Sequence, residues 1–362
     1  MNDDWQSFLS GQHAAFAADP ARVQHYGDAS GELSAAASTA VLCDLSHCGV
    51  LGFAGDDAQS FLQGQLTCDV REATRTASRP GALCTPKGRA LATFRLWQDA
   101  QGYLLQLPAD LLEPVRKRLS MYVLRAKVKV SDRSADSIRL GVAGPKAATG
   151  LIEALGLAAA GALPDAPGVL EHGRIQVLAL DGGRFELVIP PDEARALWQT
   201  LAGRFTPAGA PAWQWSAIAA GEAMLGVPTQ DQFVPQMLNL DLVGGIGFDK
   251  GCYTGQEIVA RTQYLGKLKQ RLFSAHLPRP AAASTTEALP RPGDLLFTAD
   301  FDGQSTGMIV DAAPAPGGGF DLLAVLRTDS AARHPVHWQH AEGALLERLR
   351  LPDAARVAPV SA

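Results

Sequence analysis

The alternation of apolar and polar positions divides the chain into a quiet N-terminal stretch, two similar blocks and a late run of strands. Residues 1–40 are rich in Ala, Ser and Gly and only weakly periodic, which predicts a mobile or loosely docked arm. From residue 49 the pattern sharpens. "VLGFAG" predicts a strand. "DDAQSFLQGQL" predicts a helix, with Asp56 or Asp57 as N-cap and Phe61, Leu62 and Leu66 on one face. "ALCTPKGRALATFRLW" predicts a hairpin turning at Pro86 and Gly88, followed by the strand "YLLQLP", the helix "DLLEPVRKRLSMYV" and the strand "AKVKVSD". Much of that order then recurs: strand "IRLGVAG", helix "PKAATGLIEALG", a hairpin on Gly182-Gly183 in "RIQVLALDGGRFELVIP", and helix "DEARALWQTLAG". Strand, helix, hairpin, helix, twice over, predicts two α+β units of the split βαβ type. After Gly266, "LKQRLFSAHL", "DLLFTADFDG", "STGMIVDAA" and "FDLLAVLRT" are separated by Pro/Gly-rich turns, which predicts a small antiparallel barrel or sandwich. "AAASTTEALPRPG" reads as an exposed loop between them.

Composition adds bounds. A chain of 362 residues is too long for one ordinary core, so two or three domains are expected. A hydrophobic content of 47% and a charged content of 19% fit a soluble globular protein. A net charge of −5 gives no global field favouring nucleic acid or an anionic membrane. The start "MNDDWQSFL" lacks a basic-then-apolar signal pattern, and no apolar run is long enough to span a bilayer. Five cysteines, an odd number in a long chain, argue against a disulfide framework and for a reducing compartment; cytoplasm is expected.

One cysteine stands apart. In "DKGCYTGQEIVAR", Cys252 lies in a glycine-flanked turn that opens a helix expected over residues 255–265. Thr254 and Glu257 have capping-box spacing, and Glu257 and Arg261 are placed to pair along the helix. The helix dipole and Lys250 would together favour a thiolate at Cys252, with a pKa of roughly 3.5 to 7.5 in strong cases. The competing reading is a small residue filling space under a tight turn. Lys250, Arg261, Lys267, Lys269 and Arg271 form a basic island facing one acid, Glu257. It suits tRNA or another polyanion, or is simply a solvated face. Weaker signals are Cys43, His47 and Cys48, the histidines of "HPVHWQH" and the glycines of "GGIG"; none has zinc-site or phosphate-loop spacing, so no metal is expected.

"KGCYTGQEIVAR", with "FLQGQLTCDV" (61–70), "CTPKGRALATFRLW" (84–97) and "QFVPQMLNLDLVGGIGFDKGCYTGQE" (232–257), resembles the YgfZ family. These are folate-binding, tRNA-modification-associated relatives of the glycine cleavage T-protein. The resemblance runs from about residue 41 to 340. It implies an α+β, T-protein-like fold, with a first folate-binding unit over 41–135 and 205–266, a second over 136–204 and a C-terminal β-barrel over 267–350. It implies bound tetrahydrofolate or a derivative, and an accessory role for iron–sulfur client enzymes or assembly factors, including radical enzymes that methylthiolate tRNA. The motif residues carried over are Lys250, Gly251, Cys252, Tyr253, Gly255, Gln256 and Glu257, with Cys252 as a functional thiol. Trp215 matches a folate-associated tryptophan, and Glu222 falls where the superfamily holds the pterin edge. Gln236 and Asn239 would line the same cavity or satisfy loop backbone. Two departures stand out. Cys48 falls where a second tryptophan is expected, and Gly88-Arg89-Ala90-Leu91-Ala92 lacks the carboxylate that T-proteins carry near Leu91. That lack argues against an aminomethyltransferase. A one-carbon transferase and a non-catalytic tRNA- or client-binding module are the alternatives.

Overall fold

A computed structural model describes residues 3–17, 22–157, 163–264, 266, 268–279, 289–301 and 303–351. By compactness the chain divides into one unit of Met1–Ala58, Glu72–Ser78 and Arg95–Ala220, and another of Gln59–Arg71, Arg79–Phe94 and Gly221–Ala362. No helix among the described residues is long and apolar enough to cross a membrane.

The first unit contains a six-stranded sheet in the order Val169–His172, Ile175–Leu180, Arg184–Ile189, Ile138–Ala143, Val41–Asp44, Thr206–Ala208. Strand alternation decides its two faces. In "IRLGVA" and "RFELVI", Ile138, Leu140, Val142, Phe185, Leu187 and Ile189 join a core with Trp198, Leu201 and Leu151 from the helices Pro191–Ala202 and Ala147–Ala154. The alternate positions, Arg139, Gly141, Arg184, Glu186 and Val188, point the other way. Gly182 and Gly183, with φ of +76° and +68°, turn the hairpin between Ile175–Leu180 and Arg184–Ile189 as expected.

The N-terminal stretch is not a loose arm. Asp3–Gly11 is a helix whose Trp5 and Leu9 are buried in that core. Trp5 stacks on Phe8, meets Trp198 edge-on at 5.9 Å, and donates from Nε1 to Asp44 at 2.8 Å. Two large apolar residues four apart anchor the segment where mean periodicity is weak. The strands Val41–Asp44 and Thr206–Ala208, assigned from sequence to the first α+β block, pair with each other, and Val41–Asp44 also pairs with Ile138–Ala143 of the second. A parallel pairing between segments so far apart leaves no local trace.

Also in this unit, Cys48–Ala54 lies between Gly102–Pro108 and Lys129–Asp132, and Gly102–Pro108 pairs with the later half of Ala90–Asp99. The helix Ala109–Val123 buries Leu111, Val115 and Leu119.

In the second unit, Thr85 to Arg89 form the expected turn, with Gly88 at φ +70°. Its C-terminal part is a six-stranded antiparallel sheet that curls into a half-barrel, in the order His337–Trp338, Leu295–Phe297, Gly307–Pro314, Phe320–Arg327, Gln270–Leu277, Glu347–Arg350. Phe273, Leu296, Ile309 and Leu322 fill it. Of the loop expected over 281–293, residues 281–288 lie outside the described residues.

Candidate functional site

Three sequence segments converge beneath the turn that carries Cys252. Thr67, fully buried, is one hub. Its hydroxyl donates to the Gly245 carbonyl at 2.6 Å and accepts from the Ala82 N–H at 2.8 Å, while its own carbonyl accepts from the Gly247 N–H at 2.8 Å. The "GGIG" glycines therefore serve this junction. Lys250 is the second hub. Its ammonium donates to the carbonyls of Leu66 at 2.6 Å and Cys68 at 2.8 Å, and lies 4.9 Å from the centre of the buried Tyr253 ring. Burial lowers its pKa to about 8, against the opposing effect of Cys68 and Asp69. The third contact joins two turns. A Cβ on Gly255, at φ +86°, would lie 2.5 Å from the Thr85 carbonyl oxygen and 2.9 Å from Gly88 Cα. The turn of "CTPKGR" can approach that closely only because both residues are glycine.

Cys252 is exposed on this framework, whereas Cys43, Cys48, Cys68 and Cys84 are buried. Burial pushes the thiols of Cys48, Cys68 and Cys84 up to about 12 and that of Cys43 higher still. The helix after Cys252 spans Gln256–Tyr264 and starts without the expected capping box: the Gln256 N–H donates to the Tyr253 carbonyl at 3.1 Å, and Thr254 and Glu257 do not bond to each other. Nor does Glu257 pair with Arg261. The left-handed Gly255 bends the chain into the helix in place of a side-chain cap. Lys250, expected to add positive charge beside the thiol, is turned inward onto the Leu66 and Cys68 carbonyls.

The basic island dissolves in the fold. Lys250 is buried, and Arg271 forms a two-pronged pair with the buried carboxylate of Asp241 at 2.6 and 2.8 Å. Arg261 and Lys269 remain exposed, and Lys267 lies outside the described residues. Gln236 and Asn239 are buried, but their amides hold backbone: Gln236 Nε2 donates to the Val259 carbonyl at 2.7 Å, and Asn239 Nδ2 to that of Leu272 at 3.0 Å. Asn239 has φ +59°, a conformation its short polar side chain tolerates. Glu222 is half-buried in the second unit; Trp215, half-buried, packs in the first against a cluster that includes Trp213, Val50 and Leu104.

That cluster adjoins a polar layer that sequence reading missed. Gln106 Nε2 donates to Glu186 Oε2 at 3.0 Å, Trp97 Nε1 to Gln176 Oε1 at 3.0 Å, and Arg139 Nη2 to the Cys48 carbonyl at 2.5 Å. The Arg184 guanidinium stacks 5.3 Å from the centre of the Trp213 ring. Arg139, Arg184, Glu186 and Gln106 are each at least nine-tenths buried. Arg139 Nε and Nη1 and Gln106 Oε1 have no hydrogen-bond partner, and buried polar groups left so are costly, by about 1–3 kcal/mol each. The Cys48 thiol feels Glu186 and Arg139, so the position where a tryptophan was expected borders this layer. The signal was present in the strands themselves, as charged residues at alternate positions of otherwise apolar "IRLGVA" and "RFELVI". Among the described residues no three His, Cys, Asp or Glu side chains gather as a metal site.

No protein-family model matches the chain. It is 34% identical over 288 residues to the tRNA-modifying protein YgfZ of Edwardsiella ictaluri, covering 78% of this chain and 83% of that one. It is 30% identical over 292 residues to YgfZ of Colwellia psychrerythraea, covering 78% and 88%. YgfZ of Yersinia pestis is 31% identical over 295 residues, covering 80% and 86%. In fold the chain is similar to the glycine cleavage system aminomethyltransferase T from Bartonella henselae, with a TM-score of 0.75, 18% identity and coverage of 98% and 97%.

Proposed function

The chain belongs to the YgfZ family, and on that premise we propose that it is a folate-binding accessory protein of tRNA modification. In this reading it supports iron–sulfur client enzymes or their assembly factors, with Cys252 as its working thiol. The observation that carries the reading is the convergence of three distant segments on one exposed cysteine. Lys250, Thr67 and Gly255 fix the turn, and a cysteine used for packing needs no such fixed, exposed setting.

Tetrahydrofolate, when bound, supplies a reduced ring whose amines carry a one-carbon unit. The polar layer of the first unit fits such a ring. Glu186 supplies a buried carboxylate that favours the N–H edge of a pterin, and Arg139 Nε and Nη1 can donate to a ring carbonyl. Gln106 orients Glu186. Trp215 offers a flat face for stacking, and Cys48 leaves more room than a tryptophan would. We therefore add Glu186, Arg139 and Gln106 to Trp215 as the folate-binding residues of the first unit.

The deciding experiment is complementation of a strain lacking the chain. Cys252→Ala removes one exposed sulfur, so it should fold with an unchanged melting temperature yet fail to restore tRNA modification and iron–sulfur enzyme activity. A variant that restores both would refute a working thiol. Calorimetric titration with tetrahydrofolate tests the second half. Binding should occur with the native chain and fall at least about tenfold in Glu186→Gln, which replaces a charge-assisted bond by a neutral one. No heat with the native chain would rule out the folate site.

A further inference from the structure

The second unit holds a groove of about 550 Å³ beside the helix that follows Cys252. Ile258, Arg261 and Thr262 form one wall, since they lie three and four apart on one helix face. Val234 and Met237 add apolar floor, and Lys269, Gln270 and Arg327 add the opposite side. The last two are directly paired across neighbouring strands. The parts are tied together: Gln236, between Val234 and Met237, bonds the helix backbone at Val259 and accepts from Arg271 through its carbonyl at 3.1 Å.

The lining carries three cations and no carboxylate, on a chain whose net charge is −5. Arg261 and Lys269 are exposed and make no ion pair among the described residues. Arg327 pairs with Asp329 at 3.0 Å and lies 4.5 Å from the centre of the Phe301 ring, but its buried Nε has no hydrogen-bond partner. A purely anionic small ligand would not need the apolar floor of Val234, Met237 and Ile258. A purely apolar one would not need the cations.

We propose that this groove binds a single-stranded segment of RNA, with phosphates on Arg261, Lys269 and Arg327 and a base over Val234, Met237 and Ile258. The choice of RNA over an acidic peptide rests on the tRNA-modification reading above. The groove is distinct from the Cys252 turn and from the polar layer of the first unit, so it adds a substrate contact that neither supplies.

The test is fluorescence anisotropy with a short labelled oligouridylate over a range of salt concentrations. Three phosphate contacts predict a slope of log K against log salt of about −2, from roughly −0.7 per phosphate on a single strand. Arg261→Glu with Lys269→Glu should weaken binding at least about tenfold and flatten the slope toward about −0.7. Both side chains are exposed and unpaired, so the melting temperature should hold. Equal binding by native and doubly substituted chains would overturn the groove. So would a groove-dependent preference for a polyglutamate peptide over the oligouridylate, which would make the occupant an acidic protein segment. The broader reading has its own failure: a strain lacking the chain that keeps its tRNA fully modified would sink that reading, whatever the oligouridylate does.

Discussion

Lys250 shows how one side chain can change meaning between sequence and fold. In the motif it is a charge two positions from a cysteine. In the structure it is a buried donor holding the carbonyls of Leu66 and Cys68. Its folded pKa of about 8 lies below the ordinary 10.5. Below about pH 8 the ammonium is charged in both folded and unfolded chains, and the cost of burying it is constant. Between about pH 8 and 10.5 the unfolded chain binds a proton that the folded one has released, so this residue's contribution to stability rises with pH. The rise is on the order of 3 kcal/mol across that window. Lys250→Met lacks the titration. Urea denaturation at several pH values should therefore show the native chain gaining on the variant as pH climbs through the window. A difference that stays flat would mean that Lys250 is not desolvated.

The element that matters most is the pair of glycine turns, one at Gly88 and one at Gly255. Both have positive φ, and the backbone of one rests on the other. Gly255→Ala meets two penalties, a left-handed conformation for an L-residue at about 1–2 kcal/mol and a Cβ pressed on the Thr85 carbonyl. A loss of about 2–4 kcal/mol in unfolding free energy is expected, with client support lost as well, because the Cys252 turn must shift. Gly251→Ala is the control. Nothing lies within 4 Å of its added Cβ and its φ is not in the left-handed region, so its effect should stay within about 0.5 kcal/mol. Equal effects at the two glycines would show that the turn-on-turn contact does not hold the site.

At the scale of the whole molecule, the fold is similar to that of an aminomethyltransferase, and the turn Gly88-Arg89-Ala90-Leu91-Ala92 holds no carboxylate. Residues 88–92 carry no carboxylate, so incubation with an aminomethyl-loaded carrier protein and tetrahydrofolate is expected to release no ammonia above background. Sustained release would restore the transferase reading. Much of this architecture was legible beforehand. The hairpin at Gly182-Gly183, the turn at Gly88 and the helix Ala109–Val123 follow from local rules, because left-handed glycines and two- or 3.6-residue periods act over a few neighbours, whereas the helix expected over 56–66 is only Ala58–Gln63 and leaves Leu66 outside it. The exposed cysteine was legible too, as a thiol among glycines and polar residues. What only tertiary structure decided is which partners those residues meet. The sheet took in Val41–Asp44 and Thr206–Ala208, and the core took in Trp5 and Leu9. Five nearby cations parted into a buried donor, a paired arginine and two groove walls, with Lys267 outside the described residues and Arg327 joining from a distant strand. Periodicity records which way a side chain faces. Burial and charge depend on what other segments place opposite it, and that information lies outside any local stretch of sequence.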